Sequence, residues 1–319
     1  MKGKDVISDY FHKSRAKGEE KAESYNRLLD ALLEQKQKNA IGSDHPLYNE
    51  LKELALLSPN EKLDLLREAE RELEDRKSGF FIFNQRLREL IIDNLKVLVG
   101  EEEPKILNLF SGTGALAEAL YNEFGGDVVS QELNSSQFNI QRKIFELCNL
   151  DIEVNNANSL TTKEANEYDL VASIPPLGGK KVKADDIYLE KVDKKVISRL
   201  DHNGATLLKS LELAKEGGVV ISVLTLGFLF SGRNRKVRET ILEQAQVLAI
   251  IETPKNTFAP YSGVQGAIVI LRKKETNEDN EANNLLMGSF AEVDIDSDDF
   301  VEEKDKFLNE WEDFVNEEV

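Results

Sequence analysis

The chain has 319 residues, 40% of them hydrophobic and 31% charged, which suits one large globular domain with an accessory piece. No apolar run reaches the roughly 18–20 residues that span a bilayer, and the start Met1-Lys-Gly-Lys-Asp-Val lacks the apolar stretch of a signal peptide, so no membrane association is expected. A single cysteine, Cys148, excludes an intrachain disulfide or a cysteine-based metal centre and points to the reducing cytoplasm, and the scattered His12, His45 and His202 offer no metal set.

The formal charge of −18 is unevenly spread. Residues 276–319 carry 16 acids and 2 bases, a local −14, which leaves the first 275 residues with 43 acids and 39 bases, at −4. Such a run reads as a solvated acidic tail; an interaction tail, or a segment that screens a basic cleft, is the alternative. Because the body is near balance, the net charge does not exclude nucleic acid.

Residues 1–78 read as helix and as a small accessory domain. Tyr25, Leu28, Leu29, Leu32 and Leu33 recur at helical spacing, followed by Leu51, Leu54 and Leu57 and then Leu63, Leu65 and Leu66. Gly42 to Pro46 reads as a turn, and Ser58-Pro59-Asn60-Glu61 as a helix start with Ser58 as its cap.

From 79 to 275 short Val- and Ile-rich runs alternate with amphipathic stretches. Strands are predicted at 105–110, 127–132, 152–154, 169–174, 218–224, 247–252 and 266–272. Helices are predicted at 115–124, 136–148, 204–214 and 237–244. The alternation predicts an α/β fold: a Rossmann-like, doubly wound parallel sheet with the last two strands antiparallel at one edge. Ligands in such sheets bind at the carboxyl ends of the strands, at the switch in strand order.

The first strand ends in Asn108-Leu-Phe110-Ser-Gly112-Thr-Gly114-Ala-Leu116, where glycines permit a sharp turn and close approach to a ligand. The helix that follows presents free N–H groups and the positive end of its dipole. The second strand ends at Glu132, whose carboxylate is placed to accept from both hydroxyls of a ribose. The third leads to Asn158, read either as an adenine-binding side chain or as a turn cap. Together these fit an adenosine-type cofactor. A dinucleotide fingerprint fits less well, because Ala117 stands where G-x-G-x-x-G has its last glycine.

Several segments then resemble one family in order. Ser130-Gln-Glu-Leu-Asn-Ser-Ser-Gln-Phe-Asn139 and the helix after it look like the second motif of the modification subunits of type I restriction–modification systems, which are adenine-specific DNA N6-methyltransferases. Tyr168-Asp-Leu-Val-Ala-Ser-Ile-Pro-Pro-Leu-Gly-Gly-Lys180 resembles their catalytic segment, Asn-Pro-Pro-Phe followed by Gly-Gly. Residues 217–274 are similar throughout, and Gly79-Phe-Phe-Ile-Phe83 resembles the element that packs over the cofactor, with Phe81 at its centre. The resemblance spans about 75–275. It implies a class I S-adenosylmethionine-dependent methyltransferase fold with a small helical N-terminal domain. It also implies S-adenosylmethionine as cofactor, DNA as substrate, and a specificity subunit as partner, docked on the N-terminal helices.

Departures from the pattern fall on the chemistry. Aligned on Gly178-Gly179, the catalytic turn is Ile174-Pro175-Pro176-Leu177, with Ile for the Asn whose oxygen accepts from N6 and Leu for the aromatic that stacks on a flipped adenine. Ser173 substitutes for the Asn only if the register slips by one. Three functions therefore stay open: an adenine-N6 DNA methyltransferase of unusual motif, a catalytically inactive cofactor- or DNA-binding scaffold, and a methyltransferase of RNA or protein. Two basic groups flank the expected cleft, Lys180, Lys181 and Lys183 in one, Arg233, Arg235, Lys236 and Arg238 in the other. Lys180, Lys181, Arg233 and Arg235 are the candidate phosphate contacts.

Overall fold

In the computed structural model, which describes residues 2–16, 18–38, 48–73, 81–100, 103–163, 165–178, 180–275 and 284–319, the N-terminal region forms four helices, the last three of which carry the leucine repeats. These are α1 (Lys2–Ala16), α2 (Lys21–Lys38), α3 (Tyr48–Ala55) and α4 (Pro59–Glu70). The turn expected at 42–46, Gly79 and Phe80, Gly179 and the segment 276–283 lie outside the described residues. Ser58 caps α4 in a capping box: its Oγ accepts from the Glu61 amide, and the Glu61 carboxylate accepts from the Ser58 amide at 2.8 Å. Helix α2 buries Tyr25, Leu28, Leu29, Leu32 and Leu33.

The remaining elements are α5 (Gln85–Lys96), β1 (Lys105–Leu109), α6 (Ala115–Phe124), β2 (Asp127–Gln131), α7 (Ser135–Cys148), β3 (Ile152–Asn155), β4 (Tyr168–Ser173), α8 (Lys194–Ile197), α9 (His202–Leu213), β5 (Ala214–Thr225), α10 (Leu226–Phe230), α11 (Arg235–Gln244), β6 (Ala245–Glu252), β7 (Gly266–Lys273), β8 (Leu286–Ser289) and α12 (Asp298–Glu318). The strands form one sheet in the order β3-β2-β1-β4-β5-β7-β6-β8. All pairs are parallel except those of β7, which runs antiparallel between β5 and β6. From β1 the chain builds one way through β2 and β3, and the other way from β4, so the switch point lies between β1 and β4.

The N-terminal helices share a core with the sheet. Helix α2 meets α7 through Lys143, whose Nζ lies 2.7 Å from an Asp30 carboxylate oxygen, and Lys36, whose Nζ donates to Asn149 Oδ1 at 2.7 Å.

The acidic C-terminal segment corrects the expectation of a solvated tail. Its described part adds β8 beside β6 and then the 21-residue α12, so β6 and β7 do not close the sheet. Phe300, Phe307 and Trp311 face inward, Trp311 with no exposed surface and its Nε1 donating to the Asn94 carbonyl at 3.0 Å. Phe290 meets Phe300 and Phe307 edge-on, at 5.4 and 5.6 Å between ring centroids. Spacings of seven and four put these three residues on one face of the helix, and the acids occupy the other. Asp298 and Asp299 sit in the first turn, where the helix dipole favours negative charge. A Trp311→Ala substitution is predicted to cost about 3–5 kcal/mol of stability in urea unfolding. An unchanged midpoint would mean that α12 is dispensable.

Candidate functional site

At the carboxyl end of β1 the chain turns through residues 110–114. Gly112 and Gly114 have φ of +60° and +88°, and Phe110, a non-glycine residue, has φ +54°. A Cβ at Gly114 would stand 2.5 Å from Phe145 Cζ and 2.9 Å from Gln141 Cβ, so the backbone passes α7 at a distance only glycine permits. The turn is pinned on both sides. The Ser111 amide donates to the Gln131 carbonyl at 2.9 Å, and Gln141 Oε1 accepts from the hydroxyls of Ser111 and Ser130.

Glu132, just past β2, is drawn onto this loop. Its Oε2 accepts from the Gly112 amide at 2.8 Å and its Oε1 from the Asn134 amide at 2.7 Å. Burial pushes its carboxyl above the usual range, against the pull of these backbone donors. Asn108 is 1% exposed. Its Nδ2 donates to the Ala172 carbonyl at 3.1 Å, while its Oδ1 is buried with no hydrogen-bond partner. Asn158 does act as a turn cap: Oδ1 accepts from the Leu160 amide at 3.1 Å, and Nδ2 donates to the Asp186 carbonyl at 3.4 Å.

One open cleft of about 1060 Å³ brings the sequence-predicted residues together. Phe81, Phe110, Gly112, Glu132 and Asn158 line one part, and Ile174 to Gly178 with Lys181 line another. A smaller recess, lined by Asn108 and Thr113, shares Phe81, Phe110, Gly112 and Ile174 with it. Gly114 lies behind the wall, against α7. In the Pro-Pro turn Ile174 and Pro175 are buried, Leu177 is half-buried and Pro176 is exposed. Ile174 packs in the apolar core, with Leu177 against it. Ser173 is 1% exposed, its hydroxyl donates to Ser222 Oγ at 2.9 Å, and it does not line the cleft.

The basic residues separate. Lys181 and Lys183 line the cleft and Lys180 is exposed beside them. Arg233 lies 3.6 Å from Asp201, the same residue that forms a β-bridge with Lys181, so the two segments adjoin. Arg235 pairs with Glu239 at 2.9 Å. Arg238 donates to the Phe228 and Ser231 carbonyls and is structural, and Lys236 lines another cavity.

Among the cleft residues that the sequence did not mark as a site are His202 and Tyr261, and Phe83 of the 79–83 element also lines the cleft. Phe81 meets Phe83 and Tyr261 edge-on, with centroids 4.5 and 4.4 Å apart. Tyr261 sits in the Ala259-Pro-Tyr-Ser-Gly263 loop between β6 and β7; a turn at the carboxyl end of β6 was the available signal. His202 opens α9 and is half-buried, its Nδ1 without a partner, and burial holds its imidazole below the usual pKa. Among the described residues no three His, Cys, Asp or Glu side chains gather to hold a metal, and no helix is long and apolar enough to cross a membrane.

The family model for N-6 DNA methylase matches residues 113–309, from the glycine loop into α12. The methylase subunit of the type I restriction enzyme MpnII of Mycoplasma pneumoniae is 24% identical over 231 residues, 64% of this chain and 42% of that protein. The chain thus spans about two fifths of the length of the curated relative it matches. Among solved structures, one assigned as a class I S-adenosylmethionine-dependent methyltransferase from Listeria monocytogenes superposes with a TM-score of 0.76 at 13% identity, covering 98% of this chain and 99% of that one. The methyltransferase subunit of a type I restriction–modification system from Streptococcus thermophilus gives 0.63 at 22% identity, covering 84% and 62%. The fold is that of class I S-adenosylmethionine-dependent methyltransferases.

The tight passage of the loop past α7 is open to a simple check. Gly114→Ala is predicted to lower stability by about 1–3 kcal/mol through overpacking, whereas Gly232→Ala, with open space around it, changes it by less than about 0.5 kcal/mol. Equal urea midpoints for the two variants would contradict the loop geometry.

Proposed function

Because this chain belongs to the N-6 DNA methylase family, we propose that it binds S-adenosylmethionine in the cleft at the switch point and that its Pro-Pro turn leaves it nearly inert toward adenine N6. The observation that carries the binding reading is the buried, unpartnered Asn108 Oδ1 at the end of β1, in a recess that adjoins the cleft where the Glu132 carboxylate is fixed on the glycine loop. A buried acceptor left open costs about 1–3 kcal/mol, and an ammonium donor relieves that cost. Glu132 would hold the ribose hydroxyls, and Phe81 and Phe110 would shield the site from water. Asn158 would offer an adenine edge the amide hydrogen that its bond to the Asp186 carbonyl leaves over. The cofactor, when bound, supplies a methyl group on a sulfonium.

The Pro175 carbonyl remains as one acceptor for an N6 hydrogen. Ile174 offers none, which leaves one N6–H unpaired at about 1–3 kcal/mol, and the missing aromatic at 177 forfeits about 1–3 kcal/mol of stacking. Together they slow transfer by roughly 30-fold to 10⁴-fold. DNA is the proposed partner through Lys180, Lys181, Arg233 and Arg235, whose phosphate contacts position without reading sequence. A second subunit would then read the sequence, docked on the N-terminal helices. A lone, buried Cys148 suits the reducing cytoplasm.

A second reading, methyl transfer to an RNA or protein nucleophile, is favoured by His202. An imidazole held neutral by burial on the wall of this cleft is a base for an O–H or N–H donor.

Calorimetric titration is predicted to show S-adenosylmethionine binding that Glu132→Ala weakens at least about tenfold, the worth of one charge-assisted hydrogen bond. No heat at millimolar cofactor would overturn the cofactor reading. The ionised Glu132 is the acceptor and burial raises its pKa, so affinity should fall on acidification sooner than for an ordinary carboxylate, and Glu132→Gln should lose that dependence. Labelled methyl incorporation into DNA by the isolated chain is predicted to stay at background; robust labelling of adenine would refute the inert-turn reading, and labelling of RNA or protein alone would establish the second.

A further inference from the structure

The loop that carries Gly112 is gripped from the N-terminal helices as well as from the sheet. Arg67 on α4 donates through Nη1 to the Thr113 carbonyl at 2.9 Å and to both carboxylate oxygens of Glu70 at 2.9 Å. Its Nε donates to Glu118 on α6 at 2.6 Å. The Thr113 hydroxyl donates to Glu70 Oε2 at 3.2 Å, so the carbonyl and the hydroxyl of one loop residue are held by one turn of α4. The side chains of Arg67 and Glu70 are 10% and 1% exposed. Helix α4 is itself tied to α2 by the Tyr25 hydroxyl, which donates to the Leu66 carbonyl at 2.8 Å.

We propose that Arg67 and Glu70 are positioning residues for the cofactor loop, through which the N-terminal helices set cofactor affinity. Thr113 lies between Gly112, whose amide holds Glu132, and Gly114, whose φ is +88°. The carbonyl bond fixes the peptide plane between Thr113 and Gly114, and the hydroxyl bond fixes the Thr113 side chain. A buried ion cluster is a weak source of net stability, because desolvation offsets its attraction, whereas its directional bonds hold one geometry. Here that geometry belongs to the loop. Linkage makes the effect reciprocal: a ligand that prefers the gripped loop must also tighten α4.

The proposal rests on the cofactor reading, and the test separates the two. Full-length wild type, Arg67→Lys, Thr113→Val and Thr113→Ser are titrated with S-adenosylmethionine by calorimetry, and amide hydrogen exchange is followed with and without cofactor. Lysine keeps the charge but cannot reach Glu118, Glu70 and the Thr113 carbonyl together; valine removes only the hydroxyl. Expected is binding about tenfold weaker for Arg67→Lys and Thr113→Val, with Thr113→Ser restoring wild-type affinity. Cofactor should slow exchange in residues 59–70 of the wild type and not of Thr113→Val, an effect that a purely structural role for the cluster would not produce. If Arg67→Lys fails to fold, Thr113→Val decides alone. Wild-type affinity in folded Thr113→Val overturns the positioning role and leaves the cofactor reading standing. No binding by wild type overturns both.

Discussion

The amide of Gly112 donates to the carboxylate of Glu132, and the cleft is arranged around that bond. It joins the carboxyl ends of β1 and β2 across a loop with left-handed φ at Phe110, Gly112 and Gly114, at a place where Gly114 lies against Phe145. Gln141 binds the loop from α7, and Arg67 and Glu70 bind it from α4. A loop held from three sides is ordered before any ligand arrives, so binding need not supply the cost of ordering it. Two backbone donors offset part of what burial costs the half-buried Glu132 carboxylate.

Across the switch point, the end of β4 has gone another way. In the family pattern an amide stands where this chain has Ile174, and the isoleucine has joined the apolar core, with Leu177 packed against it. The neighbouring Ser173 cannot take over, because its hydroxyl is bonded to Ser222 inside the sheet. A strand end tolerates an apolar side chain, so the cleft keeps its form; the proposed inertness toward adenine follows from the missing acceptor. On the proposed reading, binding and turnover separate along the line between β1 and β4.

Much of this was legible in the sequence. The strands and helices predicted from 105 to 272 fall within a few residues of the observed bounds, since period-2 and period-3.6 patterns are local properties, while the short α8 and α10 were not predicted. Phe110, Gly112 and Glu132 meet in one cleft because a doubly wound sheet brings strand ends together. Two features were not legible. The acidic segment was read by its charge, while its structure is set by Phe300, Phe307 and Trp311 at helical spacing, a signal outnumbered by the surrounding acids. The grip of Arg67 and Glu70 on Thr113 joins residues more than forty apart in the chain, and no local pattern marks such a pair.

The most direct test of the central claim is a crystal structure of the chain with S-adenosylhomocysteine. Expected is the adenosyl group over the glycine loop, with ribose hydroxyls on Glu132 and the ammonium on Asn108 Oδ1. Electron density for the ligand elsewhere, or an empty cleft at saturating ligand, would contradict it.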